Sequence, residues 1–455
     1  MSAENEDRMY AEISSLLPGI RKVDESSLEL LGTPIFELGL QRMFASKVES
    51  LGLMCDRLKL MDVHPALCIF KKSLSSCRFS YLLRSSKAFL LPNSLRDVDE
   101  IFRSTLEAIA NNRVEGFCWD QASLPLAFGG LGIRKVADLA MPAYLSSIYS
   151  SSDLSDELLR KFDLHILDDE ILKLIDEIPR DFVPDNDTLK KVQKNWDLLR
   201  IKSKFSGMLD SSEPITRARL LASSTKESSK WLQVVPSSQL GLLLDNNTAR
   251  IAVGLRLGCQ LCEEHKCVCG NMVGTDGLHG LSCPKSGGWI YRHDDMNRIC
   301  AHAISSAGFP TILQPPGISR DDGKRPDGMT LTPWSHGKSL LWDVTVRNTL
   351  AHSYINESSK KACSVADKAE RQKQNHYISI KVHLFTPIAF ETLGCMGPET
   401  RIFIRKLGSL MKIASGEHRS MDYLLQKLSI AIQRGNAVCI LGTLGKNRID
   451  DFYLL

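Results

Sequence analysis

The sequence predicts a multidomain chain with an all-α N-terminal half, a small metal-binding knuckle and a mixed α/β unit at its C-terminal end. Three observations predict this. Apolar residues recur at three- and four-residue spacing through much of the first half, the signature of amphipathic helices. Cysteine and histidine crowd into the short stretch 259–283. Beyond it, short β-rich runs alternate with helical ones.

The opening residues, to about Glu25, are polar, with a helix expected to end near Pro18. From Leu38 to Leu60 the residues Leu40, Met43, Phe44, Val48, Leu51, Met54 and Leu58 trace one helical face. Pro65 interrupts the pattern, and a second helical stretch follows from Ala66 to Phe89. A third helix is expected over Leu95 to Ala110, with Ser94 as N-cap and Asp97, Asp99 and Glu100 near its positive end. Leu124 to Arg134 reads LPLAFGGLGIR; its glycines match neither the P-loop nor the dinucleotide fingerprint, so the segment is a tight turn. A helix over about Val136 to Ile148 carries Pro142 as an expected kink. Ser151 to Asp187 holds twelve acidic residues against four basic, which suits a solvated linker or an outer helix pair. Mixed helix resumes from Thr188 to Leu244.

The chain of 455 residues is long enough for two or three domains. At 43% hydrophobic and 24% charged it has the balance of a globular protein that can bury a large core. No apolar run is long enough to span a bilayer and no signal peptide opens the chain, so the expected location is nuclear or cytoplasmic, not secreted and with no membrane contact. From Tyr291 onward there are 22 Lys and Arg against 15 Asp and Glu, a modest basic excess compatible with a polyanionic partner.

Five of thirteen cysteines, with two histidines, fall in the knuckle: Cys259, Cys262, His265, Cys267, Cys269, His279 and Cys283. Such density argues for a structural zinc ion in a reducing compartment rather than a disulfide framework. The preferred ligands are Cys267, Cys269, His279 and Cys283. Cys262 or His265 can stand in for one of them, and Cys259 with Cys262 also has C-x-x-C spacing. His64, His165 and His418 are read as surface or satisfied core residues.

The chemistry is expected in Gly323 to Thr345, GKRPDGMTLTPWSHGKSLLWDVT. Asp327 borders one β-rich segment and Asp343 lies in another, Leu340 to Val346, with the turn-forming run Pro333 to Gly337 between them. A hairpin with a long loop brings two aspartates sixteen positions apart together, where they can share a hard cation that takes oxygen ligands. Asp343 sits between Trp342 and Val344, and a carboxylate in so apolar a run needs a cation or a hydrogen-bond partner. Lys324 and Arg325 precede Asp327 and can face phosphate. Around this hairpin the order is a helix over Arg292 to Ala307, extended residues at Thr311 to Leu313, two strands, a helix over Lys360 to His376, a β-rich run over Ile378 to Glu391 and two more helices.

Taken together, the Cys/His knuckle, Arg292–His293 with Asn297, Lys324–Arg325–Pro326–Asp327 and then Asp343 form a pattern that resembles the C-terminal region of non-LTR retrotransposon polyproteins. These carry a CCHC zinc motif between a reverse transcriptase and a restriction-like endonuclease of the PD-(D/E)xK fold. LGTPIF at Leu31 to Phe36, YLLRS at Tyr81 to Ser85 and Leu124 to Arg134 resemble the stretch after the polymerase palm, including its helical thumb. The resemblance implies thumb-like helices over 1–250, the knuckle over 255–290 and a nuclease over 291–455. It further implies Mg²⁺ or Mn²⁺ at Asp327 and Asp343, phosphate contacts from Arg292, His293, Lys324 and Arg325, and nicking of target DNA. Element RNA, and a polymerase acting in trans, are the other partners it implies. No aromatic-x-Asp-Asp polymerase signature is present. Where the family's simple form has a lysine two residues after the second aspartate, this chain has Thr345. The lysine is then expected on the following helix, as Lys373, which shares a face with Tyr377, or as Lys368. Rival readings are an inactive nucleic-acid-binding remnant and a ribonucleoprotein scaffold.

Overall fold

The structure is a computed structural model that describes residues 3–160, 169–318, 323–378 and 382–444. The described residues are mostly helical, with one small mixed sheet and two ladders of two-residue strands. They divide into two units, each discontinuous in sequence: Met1–Met54, Arg78–Ile101 and Lys135–Leu199 in one, Cys55–Cys77, Phe102–Arg134 and Arg200–Leu455 in the other. This differs from the division at 1–250, 255–290 and 291–455. Helices distant along the chain supply the second unit's core, and local sequence pattern does not register such contacts.

The helix expected over Leu95 to Ala110 begins earlier, at Pro92, whose fixed φ suits a first helical position. Asp99 does not serve its own helix. Its carboxylate accepts hydrogen bonds from the amides of Val136 (2.6 Å) and Ala137 (3.3 Å) and so caps the helix Val136–Leu159, which runs on through Pro142. The acidic stretch is more than a linker: Ile171 and Ile178 pack with Tyr144, Leu145, Tyr149 and Trp196. His165 lies outside the described residues.

In the second unit Pro65 falls in the first turn of a helix, Val63–Ile69, where a missing N–H costs little. The glycine turn is as expected. Gly129 and Gly132 both have φ of +79°, and a Cβ on Gly130 would stand 1.9 Å from the Leu124 carbonyl oxygen. The buried Arg256 holds this turn by donating to the Gly130 carbonyl at 3.1 Å and to that of Ser223 at 3.0 Å.

The C-terminal part of this unit carries α1 (Gly288–Ser306), β1 (Thr311–Leu313), β2 (Gly328–Thr330), β3 (Leu340–Arg347), α2 (Ser364–His376), β4 (Leu384–Glu391), α3 (Pro398–Ser415) and α4 (Ser420–Leu441). The sheet order is β1-β2-β3-β4, antiparallel except for the parallel pair β3–β4. Both faces of β3 are covered, so Leu340 through Thr345 are all buried. Leu340, Trp342 and Val344 point into a core shared with α1, α3 and α4. The alternate side chains, Asp343 among them, face the side where Ala366 and Ala369 of α2 meet Ala389.

Candidate metal centres

The first centre follows from strand register. Gly328 pairs with Trp342, so the next positions outward, Asp327 and Asp343, lie opposite one another at the open end of the hairpin. Directly opposed residues point to the same side of a ladder. Gly328 is required there, since a Cβ would stand 2.0 Å from the Trp342 ring. The ladder stops at this point, and the Val344 amide donates to Asp327 Oδ2 at 2.6 Å. From α1, His293 Nε2 donates to the same oxygen at 2.9 Å. One turn on, Asn297 donates to the Asp327 backbone carbonyl at 3.3 Å and accepts from Trp342 Nε1 at 2.8 Å, fixing helix to hairpin.

Asp343 is met from the other side by α2. Lys373 Nζ donates to its Oδ1, and the Tyr377 hydroxyl donates to Oδ2 at 2.8 Å. The two residues are four apart, one turn on a shared helical face. Tyr377 is itself buried and stacked on Phe385, with ring centroids 4.2 Å apart. One ligand atom each from His293, Asp327 and Asp343 lies within 4.8 Å of the others, so the three can hold one metal ion. Lys368 is turned away into an ion pair with Glu357 at 2.6 Å.

The electrostatics fit a cation site. Burial alone would raise Asp327, but the hydrogen bond and charge of His293 and the Val344 amide hold it below the usual carboxylate range. Asp343 goes the other way: burial, with Asp327 beside it, outweighs Lys373 and lifts its pKa. The His293 imidazole is pushed up to about 9, mainly by its hydrogen bond to Asp327. Opposed shifts in two adjacent buried carboxylates are a feature that functional sites concentrate.

Two expected phosphate contacts, Lys324 and Arg325, are exposed on the approach to Asp327. Arg292 is not available for that role. It faces the interior, donates to Asn436 Oδ1 at 2.9 Å and crosses α4 where Gly435 leaves room for its aliphatic stem. Its position on α1 aligns with buried Met296 and Cys300, a helical spacing that marks the inner face. His293 is best described as a partner of Asp327.

The second centre is the knuckle. Strands His265–Lys266 and Met272–Val273 pair around a turn that presents Cys267 and Cys269, and a short helical turn, Leu278–Ser282, brings His279 and then Cys283. Ligand atoms of Cys267, Cys269, His279 and Cys283 all lie within 4.8 Å of one another. The Cys267 and Cys283 sulfurs are 3.6 Å apart, and Cys269 Sγ is 3.2 Å from His279 Nε2. A zinc tetrahedron with sulfur arms of about 2.3 Å has edges near 3.8 Å. The cluster can hold a metal such as zinc. The alternative ligands are engaged elsewhere: Cys262 donates to backbone carbonyls of Gly274 and Thr275, His265 bonds Thr443, and Cys259 pairs with Cys118. Gly280 lets the knuckle press onto α4; a Cβ there would meet the Cys439 carbonyl oxygen at 2.8 Å.

No family model matches this chain, and no curated protein matches it. No helix of the described residues is long and apolar enough to cross a membrane.

Proposed function

We propose that this chain is a divalent-metal-dependent DNA endonuclease, related to the restriction-like nuclease and zinc-motif region of non-LTR retrotransposon polyproteins. The observation that carries the reading is the convergence of Asp327, Asp343 and His293 on one point, with Lys373 at its edge. The element order α1, β1 to β3, α2, β4 around a mixed four-stranded sheet supports a restriction-like core. Asp327 and Asp343 would hold Mg²⁺ or Mn²⁺, with the His293 imidazole as an additional ligand or as the group that orients Asp327. The ion's contribution is to acidify a water and draw charge from the scissile phosphate. Lys373 Nζ offers positive charge to the developing pentacoordinate oxygens, and Tyr377 keeps the Asp343 carboxylate aimed. Lys324 and Arg325 attract the flanking phosphates. Target DNA is the partner, with element RNA and a polymerase supplied in trans as the further partners of such a system.

The test is nicking of supercoiled plasmid by the purified chain. With Mg²⁺ or Mn²⁺ nicked circles are expected, and Asp327→Ala or Asp343→Ala should reduce the rate on the order of a thousandfold, about 4 kcal/mol, while DNA affinity stays. Full activity in either variant rejects the assignment. One observation favours a second reading, a binding protein without catalysis: Lys373 and Tyr377 occupy one oxygen each of Asp343. Binding without cleavage under either metal would select that reading.

A further inference from the structure

The start of α1 presents an apolar surface that the metal centre does not use. Trp289 and Ile290, neighbours in sequence, are 48% and 49% exposed. Both lie one turn N-terminal to His293. At 100° per residue Trp289 is about 40° to one side of the His293 direction, and Ile290 about 60° to the other. They therefore form a ledge about 6 Å along the helix from the histidine that holds Asp327. The ledge is fixed in place. A Cβ at Gly288 would stand 2.6 Å from the Cys439 amide nitrogen, so the helix start lies hard against α4, and Trp289 Nε1 donates to the Pro284 carbonyl at 3.4 Å. Exposed Lys285 precedes it in the chain, and Lys324 and Arg325 lie three and two residues before Asp327.

We infer that this ledge is a stacking platform for an unpaired DNA base next to the phosphate held at the metal centre. The inference rests on the nuclease reading and adds a substrate preference to it, for single-stranded or locally opened DNA over closed duplex. Three features point to a base as the occupant. An indole face is the usual partner of an unstacked base. The flanking cations suit a strand whose phosphates pass alongside. The platform lies one helical turn from His293 on a similar heading, so a base stacked there lies on the same side of the helix as the metal centre. Trp289 is the base-stacking residue, and Ile290 bounds the platform.

The test uses intrinsic fluorescence, because Trp289 is the exposed indole. Trp119, Trp196, Trp231 and Trp342 are buried, and Trp334 is half-buried between Phe309 and Phe403. Short oligothymidine added to the full chain without divalent metal should quench the emission, whereas a blunt duplex should quench it little. Trp289→Ala should weaken oligothymidine binding about tenfold to a hundredfold, and Trp289→Phe should restore most of the loss. Unchanged binding by the alanine variant, or equal quenching by duplex, overturns the inference. So does a change in oligomeric state with binding unaltered, which would give the ledge to a second copy. Plasmid nicking measured alongside separates the two claims. A wild-type chain that nicks, with a Trp289→Ala variant that binds and nicks equally well, removes the platform and keeps the nuclease. Quenching that depends on Trp289 in a chain that never nicks keeps the platform and removes the nuclease. Absence of oligothymidine binding removes the platform, and the plasmid assay then decides the nuclease by itself.

Discussion

The two candidate metal centres differ in how completely their ligands could close around an ion. The knuckle offers three thiols and an imidazole from one stretch of 17 residues, enough to fill a tetrahedron. The hairpin offers two carboxylates and an imidazole from three elements, and Lys373 donates to one of those carboxylates. A closed shell of soft ligands serves folding, whereas an incomplete hard shell leaves room for water and a phosphate oxygen. Ligand type and closure therefore distinguish the two candidate centres within a single unit, one a closed soft set and the other an open hard one.

That contrast can be broken by removing ligands. The largest effect is expected at the knuckle. Cys283→Ser should cost one zinc per chain by elemental analysis and abolish cooperative thermal unfolding, since structural zinc contributes about 10 kcal/mol or more in isolated knuckles. Retention of both zinc and the wild-type transition would break the comparison. At the hairpin the opposite is expected: Asp343→Asn should change stability by no more than about 1 kcal/mol, because it ends a like-charge contact while losing an ion pair. The rise in melting temperature on adding Mn²⁺ should disappear in that variant, as calorimetry would show.

A substitution that alters register, with all ligands retained, sharpens the contrast further. Gly328→Ala drives a methyl group into the Trp342 ring and should destabilise the unit by about 1–3 kcal/mol. It should weaken Mn²⁺ binding while leaving the zinc content unchanged.

The acid limb of stability has another source. His64 is buried, accepts from the Leu244 amide at 3.0 Å, and is held down to about 4 chiefly by desolvation. Its folded pKa is below the unfolded value near 6.5, so the unfolded state takes up a proton first. Stability should fall as pH drops from about 6.5 to 4, by up to about 3 kcal/mol, and His64→Gln should flatten that slope in denaturant titrations at successive pH values.

Much of both centres is legible in the sequence because each rests on local geometry. A hairpin signal places Asp327 opposite Asp343, helical spacing places Lys373 with Tyr377, and ligand density selects Cys267, Cys269, His279 and Cys283. Tertiary facts are not legible in this way. Arg292 looks like a phosphate contact until its alignment with Met296 and Cys300 puts it inside, and that spacing was readable. The hydrogen bond from His293 to Asp327 spans 34 positions and has no local signal. Nor does the recruitment of helices from 102–134 and 200–257 into the unit that bears the sheet.

Pro387 has a consequence at the outer border of β4. The strand pairs with β3 on one side, and on the other side the Ala389 amide donates to Thr400 Oγ1 at 2.7 Å and the Glu391 amide to the Cys395 carbonyl at 2.9 Å. Strand residues two apart point their amides the same way, so position 387 also faces outward, and proline brings no N–H there. Along that rim the outward N–H groups at 389 and 391 are already taken and position 387 has none. An intruding strand, from a second copy or from a growing fibril, would find no outward N–H donor there to pair with.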